Sequence, residues 1–331
     1  MISVFNRHLS LFLLLLALPT HAMSVDSSEY PRLEEFISSM EQKHKFSATE
    51  LRGWFAETEI RTDIIEIMQR PREAAPWHEY REQFVTGPSA SRGYRFWKKN
   101  KKAFERAEKK YGVPPEYILA ILGVETQYGL NKGRFRIMDA LTTLAMEHPS
   151  RHEFFQRELE QFLVLARELK RDPLEFTGSY AGAMGLPQFL PSSYRQYAVD
   201  FNKDHHLDLL TDNSDAIGSV ANYLKIHGWK RNEQVIADAE INGNLHPWFE
   251  TLSIKPTMQL SHFVDYGIFP KKSLDAHMPA TLLKLEASDG PLYRFGFNNF
   301  YVITRYNKSV NYAMAVTELA QLIREKMDNI N

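Results

Sequence analysis

Residue 125 is a glutamate in a position that helical spacing assigns to the apolar side of a helix. Residues 114–129 read as a short helix with clear ends: Pro115 suits the first turn and Gly129 suits a left-handed stop. Within it Ile118, Ile121, Leu122 and Glu125 follow the i, i+3, i+4, i+7 rule. The carboxyl group therefore projects from the apolar stripe. Burial disfavours its ionised form, which is what a general acid near neutral pH needs. A glutamate at the edge of the stripe, paired with a buried arginine, is the competing reading.

The chain around this helix has 331 residues, 44% of them hydrophobic, enough for two or three packing units with real cores. Formal net charge is −1 and no long tract carries one sign, which argues against a nucleic-acid partner bound through phosphate neutralisation. Residues 1–22 read as a secretory signal, with Arg7, an apolar run over 9–18 and a cut after Ala22. There is no cysteine, so an exported chain relies on its core, not on disulfides. Lipid attachment through an N-terminal Cys is excluded on the same ground. The expectation is a soluble periplasmic protein that is not a lipoprotein.

Helical periodicity dominates to about residue 230. Leu33, Phe36, Ile37 and Met40 share a face. Residues 51–70, 94–111, 154–169 and 216–228 are further amphipathic stretches, the last closed by Gly228. The lysines of 94–111 read as a solvated face. Beyond residue 245 the texture becomes β-prone: 258–263, 281–285, 292–297 and 300–306 look extended, and Asp289-Gly290 signals a hairpin. A closing helix follows over 309–327, with Ser309 as N-cap and Tyr312, Val316, Leu319, Ala320 and Ile323 as its buried stripe. The fold class is mainly α, an α+β chain with a small sheet near 245–305.

Between the helices, Gly178-Ser179-Tyr180-Ala181-Gly182-Ala183-Met184-Gly185-Leu186-Pro187-Gln188-Phe189 has three glycines in eight residues, so backbone and ligand can approach closely. Ser179 and Gln188 could bond a hydroxyl-rich ligand. Read alone, the segment is first of all a structural turn that supports the helix. Five segments in order then resemble the lytic murein transglycosylase B family: Gly123-Val-Glu125-Thr-x-Tyr-Gly129, His148-Pro149-Ser150-Arg151, residues 182–194, residues 215–223 and Ile303-Thr-Arg-Tyr-Asn307.

That resemblance implies a lysozyme-like helical catalytic core (111–244), an N-terminal helical domain (23–110), a small antiparallel β domain (245–308) and a C-terminal helix (309–331) packing back on the helical part. It implies cleavage of the β-1,4 bond between N-acetylmuramic acid and N-acetylglucosamine in peptidoglycan, leaving a 1,6-anhydromuramoyl end. Glu125 falls on the family's single catalytic acid/base. Arg151, Ser179, Gln188, Tyr223, Tyr306, Asn307 and Tyr312 fall on its groove positions. The family often has a second Arg before Arg151, where this chain has Ser150, so weaker recognition of peptide stems is expected. No cofactor is needed for this chemistry. The implied partner is the glycan strand, bound by a monomer; nothing in the sequence names a cell-wall synthesis or secretion partner. A hydrolytic muramidase and a non-catalytic wall-binding scaffold are the alternatives.

Asp200, Asn202, Asp204 and His206 alternate as the start of an EF-hand-like calcium loop does. The usual Gly and closing Glu are missing. The resemblance suggests Asp215 as the closing ligand, with Asp212 competing. Calcium bound there would be structural.

Overall fold

The computed structural model describes residues 30–69, 75–242 and 246–329. The expected signal segment lies outside them. Among the described residues no helix is long and apolar enough to cross a membrane.

Among the described residues four helices come first: α1 (Pro31–His44), α2 (Ala48–Ala56), α3 (Thr62–Met68) and α4 (Trp77–Phe84). Leu33, Phe36, Ile37 and Met40 are buried together, as their spacing requires. The stretch 51–70 is two helices, not one. Of its isoleucines Ile64 is buried, Ile60 and Ile65 are half-buried and Ile67 is exposed. The basic stretch likewise divides into α5 (Gly87–Lys99) and α6 (Lys101–Tyr111), broken at Asn100. The central helix α7 (Pro115–Thr126) is buried on nearly every side. Around it lie α8 (Ile137–Glu147), α9 (His152–Glu168), α10 (Pro191–Tyr197) and α11 (Asn213–Ile226), with a two-stranded ribbon of β1 (Phe135–Arg136) and β2 (Thr177–Gly178).

The sheet has five antiparallel strands in the order β4-β6-β7-β3-β5: β3 (Ile236–Ile241), β4 (Met258–Gln259), β5 (Ile268–Pro270), β6 (Pro279–Ala287) and β7 (Gly290–Gly296). It begins at 236, earlier than the sequence suggested. The hairpin is present, with Ala287 opposite Gly290. Its own small core gathers Phe249, Leu260, Phe263, Ile268, Phe295 and Phe297.

Two segments expected to be extended are helical. Residues 260–263 belong to α12 (Leu260–Val264), and 300–306 belong to α13 (Asn298–Tyr306). Phe300, Val302, Ile303 and Thr304 are all buried in α13, so tertiary packing overrides their β propensity. Asn299 holds this helix in place: its amide donates to the Lys230 and Glu233 carbonyls at 2.8 and 3.1 Å and its oxygen accepts the Lys230 N–H at 2.9 Å. Finally α14 (Val310–Asp328) starts at Ser309, whose Oγ accepts the Tyr312 N–H at 3.2 Å. It packs lengthwise on α7 and α5 and buries the expected stripe.

Candidate active site

Helix α7 stops at Thr126, one residue after Glu125, and not at Gly129. Gln127 and Tyr128 already have positive φ (50° and 62°) and Gly129 continues the turn at 90°. Two non-glycine residues in the left-handed region store strain of a kind found at functional sites. The Thr126 hydroxyl fastens this end. It donates to the Leu122 and Leu186 carbonyls (3.2 and 3.0 Å) and accepts the Gly129 N–H (3.1 Å). Leu186 lies in the glycine-rich segment, so this bond joins the end of α7 to that segment.

Glu125 is half-buried at this junction. The Tyr312 hydroxyl, from the first turn of α14, donates to its Oε1 at 2.6 Å. Tyr306, at the end of α13, stacks nearly parallel to Tyr312 with ring centres 6.4 Å apart. Its hydroxyl donates to the Pro187 carbonyl. Tyr223, from α11, meets Tyr306 at 4.8 Å and donates to the Arg305 carbonyl. Phe189 closes the aromatic group, 5.6 Å from Tyr223 and 5.7 Å from Tyr306. Burial, and after it the Glu125 carboxylate, hold the Tyr306 and Tyr312 phenols well above their ordinary pKa. Tyr312 therefore stays a proton donor toward Glu125 across the physiological range.

Gln188 sits on the other wall, also at positive φ. Its amide donates to the Gly185 carbonyl (2.8 Å) and the Lys132 carbonyl (3.2 Å). Ser179 accepts the Ala181 and Ala183 N–H groups (3.3 and 3.0 Å), so its hydroxyl shapes the glycine-rich turn. Asn307 ends α13, and its side chain accepts the Ser309 N–H at 3.1 Å. The structure thus gathers Glu125, Tyr223, Tyr306 and Tyr312, with Gln188 tied to them through Leu186 and Thr126. Arg151 is not in this bonded group. It is exposed at the start of α9, its guanidinium over the rings of Phe154 and Phe155.

Sequence reasoning missed Tyr80, which is buried on α4 and close enough to Tyr312 to raise its pKa. No spacing rule links positions 80 and 312. Of the carboxylates near Glu125 in sequence, Asp139 is held by Arg136 at 2.7 Å and by the Glu59 N–H at 3.1 Å. Glu147 and Glu153 are exposed.

The acidic loop is knitted to itself. Asp200 accepts the Lys203, Asp204 and His205 N–H groups. The Asn202 amide stands between Asp204 (2.9 Å) and Asp212 (2.8 Å). Asp212 also caps α11. Asp215 is fully buried, and its two oxygens accept the Phe201 and Asp208 N–H groups at 2.7 and 3.0 Å. Burial raises its pKa. His206 is exposed and gives its backbone N–H to Asp204. Among the described residues no group of three or more His, Asp or Glu is arranged around a metal position. Asp200, Asn202, Asp204 and Asp212 are oxygen donors that suit a hard cation, while the Asp215 oxygens accept backbone N–H groups and His206 is bonded through its own backbone N–H.

A half-buried glutamate bonded by a buried tyrosine, inside a helix-rich lysozyme-like body with a small appended sheet, accords with the class that the comparisons define: murein-cleaving lytic transglycosylases, enzymes of lyase type. A family model, the transglycosylase SLT domain, matches residues 28–321. The chain belongs to this family, within the lytic murein transglycosylase B group. It is 42% identical over 311 residues to the membrane-bound lytic murein transglycosylase B of Escherichia coli (strain K12), covering 91% of this chain and 85% of that one. The structure of the lytic transglycosylase SltB1 from Pseudomonas aeruginosa superposes with a TM-score of 0.84 at 45% identity, over 91% of this chain and 99% of that one. The Escherichia coli lytic transglycosylase Slt35 in complex with calcium gives 0.83 at 40% identity, over 94% and 99%.

Proposed function

We propose that the protein cleaves the β-1,4 bond between N-acetylmuramic acid and N-acetylglucosamine without adding water, leaving a 1,6-anhydromuramoyl end, with Glu125 as both acid and base. The observation that carries this reading is the 2.6 Å bond from Tyr312 to Glu125 at the mouth of the aromatic and glycine-rich walls. A two-carboxylate glycosidase sets its second group opposite the acid. The carboxylates on either side of Glu125 in sequence are instead engaged elsewhere, Glu116 by Arg324 and Asp139 by Arg136. Neutral Glu125 gives its proton to the leaving glycosidic oxygen. As carboxylate it then takes the proton of the muramoyl C6 hydroxyl while that oxygen bonds to C1. The substrate's N-acetyl group stabilises the intermediate between the steps. Tyr223, Tyr306 and Tyr312 offer ring faces to the sugars, and Gln188, Ser179 and Asn307 supply polar contacts. Digestion of purified sacculi with mass spectrometry of the fragments tests this. Products lighter by one water than those of a muramidase are expected; hydrated muramoyl ends would establish hydrolysis instead.

Tyr312→Phe keeps the ring that stacks on Tyr306 and removes one hydrogen bond to a charged group, worth about 1.5–3 kcal/mol. Turnover on murein is expected to fall roughly ten- to hundredfold in a variant that still folds, its melting temperature lower by a few degrees. Full activity in this variant would remove Tyr312 from the site.

The reading places the protein in the periplasm, acting as a monomer. We also propose structural calcium at Asp200, Asn202, Asp204 and Asp212, as the calcium complex of the relative Slt35 suggests. Millimolar calcium at a hundred times its dissociation constant would add about 2.7 kcal/mol of stability. The thermal midpoint should therefore rise by several degrees. Asp212→Asn, which still caps α11, should abolish that rise. An unshifted midpoint in the parent protein counts against the site.

A further inference from the structure

We propose that a lysine-lined cavity at the α5–α6 junction binds the carboxylates of peptide stems on the murein strand in the groove. This rests on the murein reading above and specifies which strands are preferred. The cavity is an open surface hollow of ≈ 630 Å³, lined by Lys98, Lys99, Lys101, Lys102 and Arg106 together with Asn202 and Ser214. Residues 95–110 carry eight Lys and Arg against two Glu, in a chain whose formal net charge is −1. This is the chain's densest positive cluster, and its neutralisation is slight. Lys101 and Glu105 are 3.9 Å apart and both exposed, a pair of little strength. The Asn202 amide bonds the Asp204 and Asp212 carboxylates, which keep their charge.

The cluster is partly preset. Arg106 donates to the Ser214 hydroxyl at 2.9 Å and lies 4.2 Å over the Phe201 ring. Lys98 and Lys101 rest over Tyr94 and Trp97 at 5.6 and 5.4 Å. Such stems on aromatic faces lose fewer rotamers when they meet an anion.

Connectivity places these cations at the catalytic end of the molecule. Only residues 112–114 separate α6 from α7, and the two helices pack together, so the chain reverses between them. The start of α6 therefore lies at the end of the pair where α7 finishes with Glu125 and Thr126. An aromatic chain spans the gap: Tyr128, three residues after Glu125, is 5.7 Å from Phe96, and Phe96 is 6.2 Å from Phe104 in the first turn of α6. A strand in the groove carries its stems, with free carboxylates, alongside this end. Arg151 stands beside Ser150 and so offers a single cation at the start of α9; the lysines supply several. This placement favours stems over an anionic lipid surface.

The test uses the full chain with Glu125→Gln, so that bound glycan is not consumed, and soluble glycan strands with intact stems or with stems removed by an amidase. Stem-bearing strands should bind about tenfold more tightly at low salt, the effect of two or three exposed ion pairs. The preference should fade with added salt. Adding Lys98→Gln, Lys99→Gln, Lys101→Gln and Lys102→Gln together should bring the two glycans within about twofold of each other, while binding of the bare strand is retained. The double change Lys98→Gln with Lys102→Gln should give an intermediate preference and guards against misfolding of the fourfold variant. A stem preference that survives the fourfold change overturns the proposal, and so does equal loss on both glycans. Lysine-dependent sedimentation with phosphatidylglycerol vesicles, without any stem preference, would reassign the cavity to a membrane surface. Binding of neither glycan would remove the murein reading itself, a failure distinct from those.

Discussion

Glu125→Gln is expected to lower murein cleavage by about a thousandfold, the size of effect that loss of a positioned acid and base produces. Glutamine has nearly the shape of glutamate. Its amide oxygen can still accept the Tyr312 hydroxyl, which donates to Oε1 at 2.6 Å. The apolar body of α7, with Ile118, Ile121 and Leu122 fully buried, is untouched. Fold and glycan binding should therefore survive while proton transfer at both steps is lost. The measurement is release of soluble fragments from sacculi, alongside thermal denaturation and a strand-binding assay. Retained binding with lost cleavage separates an enzyme from a wall-binding scaffold. If the variant cleaves at the parental rate, the role given to Glu125 is wrong. If it loses cleavage and folding together, the carboxylate is structural.

The helix that carries this residue was legible because its apolar residues recur at the helical period and Pro115 marks its start. The closing helix was legible for the same reason, with Ser309 as its cap. What the sequence hid is long-range. Residues 300–306 are β-branched and aromatic, and local propensity reads them as a strand. They form α13 because that helix packs on α14 and α11 and Asn299 ties it to residues 230 and 233. The aromatic wall beside Glu125 joins α11, α13 and α14, so no local window contains it. Gly129 was a reasonable stop, yet Gln127 and Tyr128 take the left-handed turn first, since Thr126 fixes the helix end through its bonds to Leu186 and Gly129. The acidic alternation at 200–206 was visible. That Asp215 would serve backbone N–H groups from inside the fold was not, because its partners Phe201 and Asp208 lie beyond helical spacing.

Gly185→Ala should be severely damaging for a change that adds a single methyl group. Gly185 has φ +72°, and a Cβ there would lie 2.2 Å from the Leu209 carbonyl oxygen and 2.8 Å from its carbon. Neither atom can yield freely. The same oxygen accepts the Leu186 N–H at 2.9 Å, and the Leu209 N–H donates to the buried Tyr194 hydroxyl at 2.9 Å. Left-handed strain and overpacking together cost about 3 kcal/mol, which would lower the melting temperature by roughly 5–10 °C. Relief requires the 185–188 turn to move. That turn presents the Gly185 carbonyl to the Gln188 amide and the Leu186 carbonyl to Thr126, beside Glu125. A shift of about 1 Å in such a positioning element can cost a hundredfold in rate. Gly228→Ala is the control: its φ is +98°, but nothing lies within 4 Å of the added methyl. It should lose some stability to backbone strain and keep nearly all its activity. Comparing turnover of the two variants at a temperature where both are folded isolates the groove. If Gly185→Ala cleaves murein as well as Gly228→Ala does, the glycine-rich turn is scaffolding, and Gln188 has no part in holding the substrate.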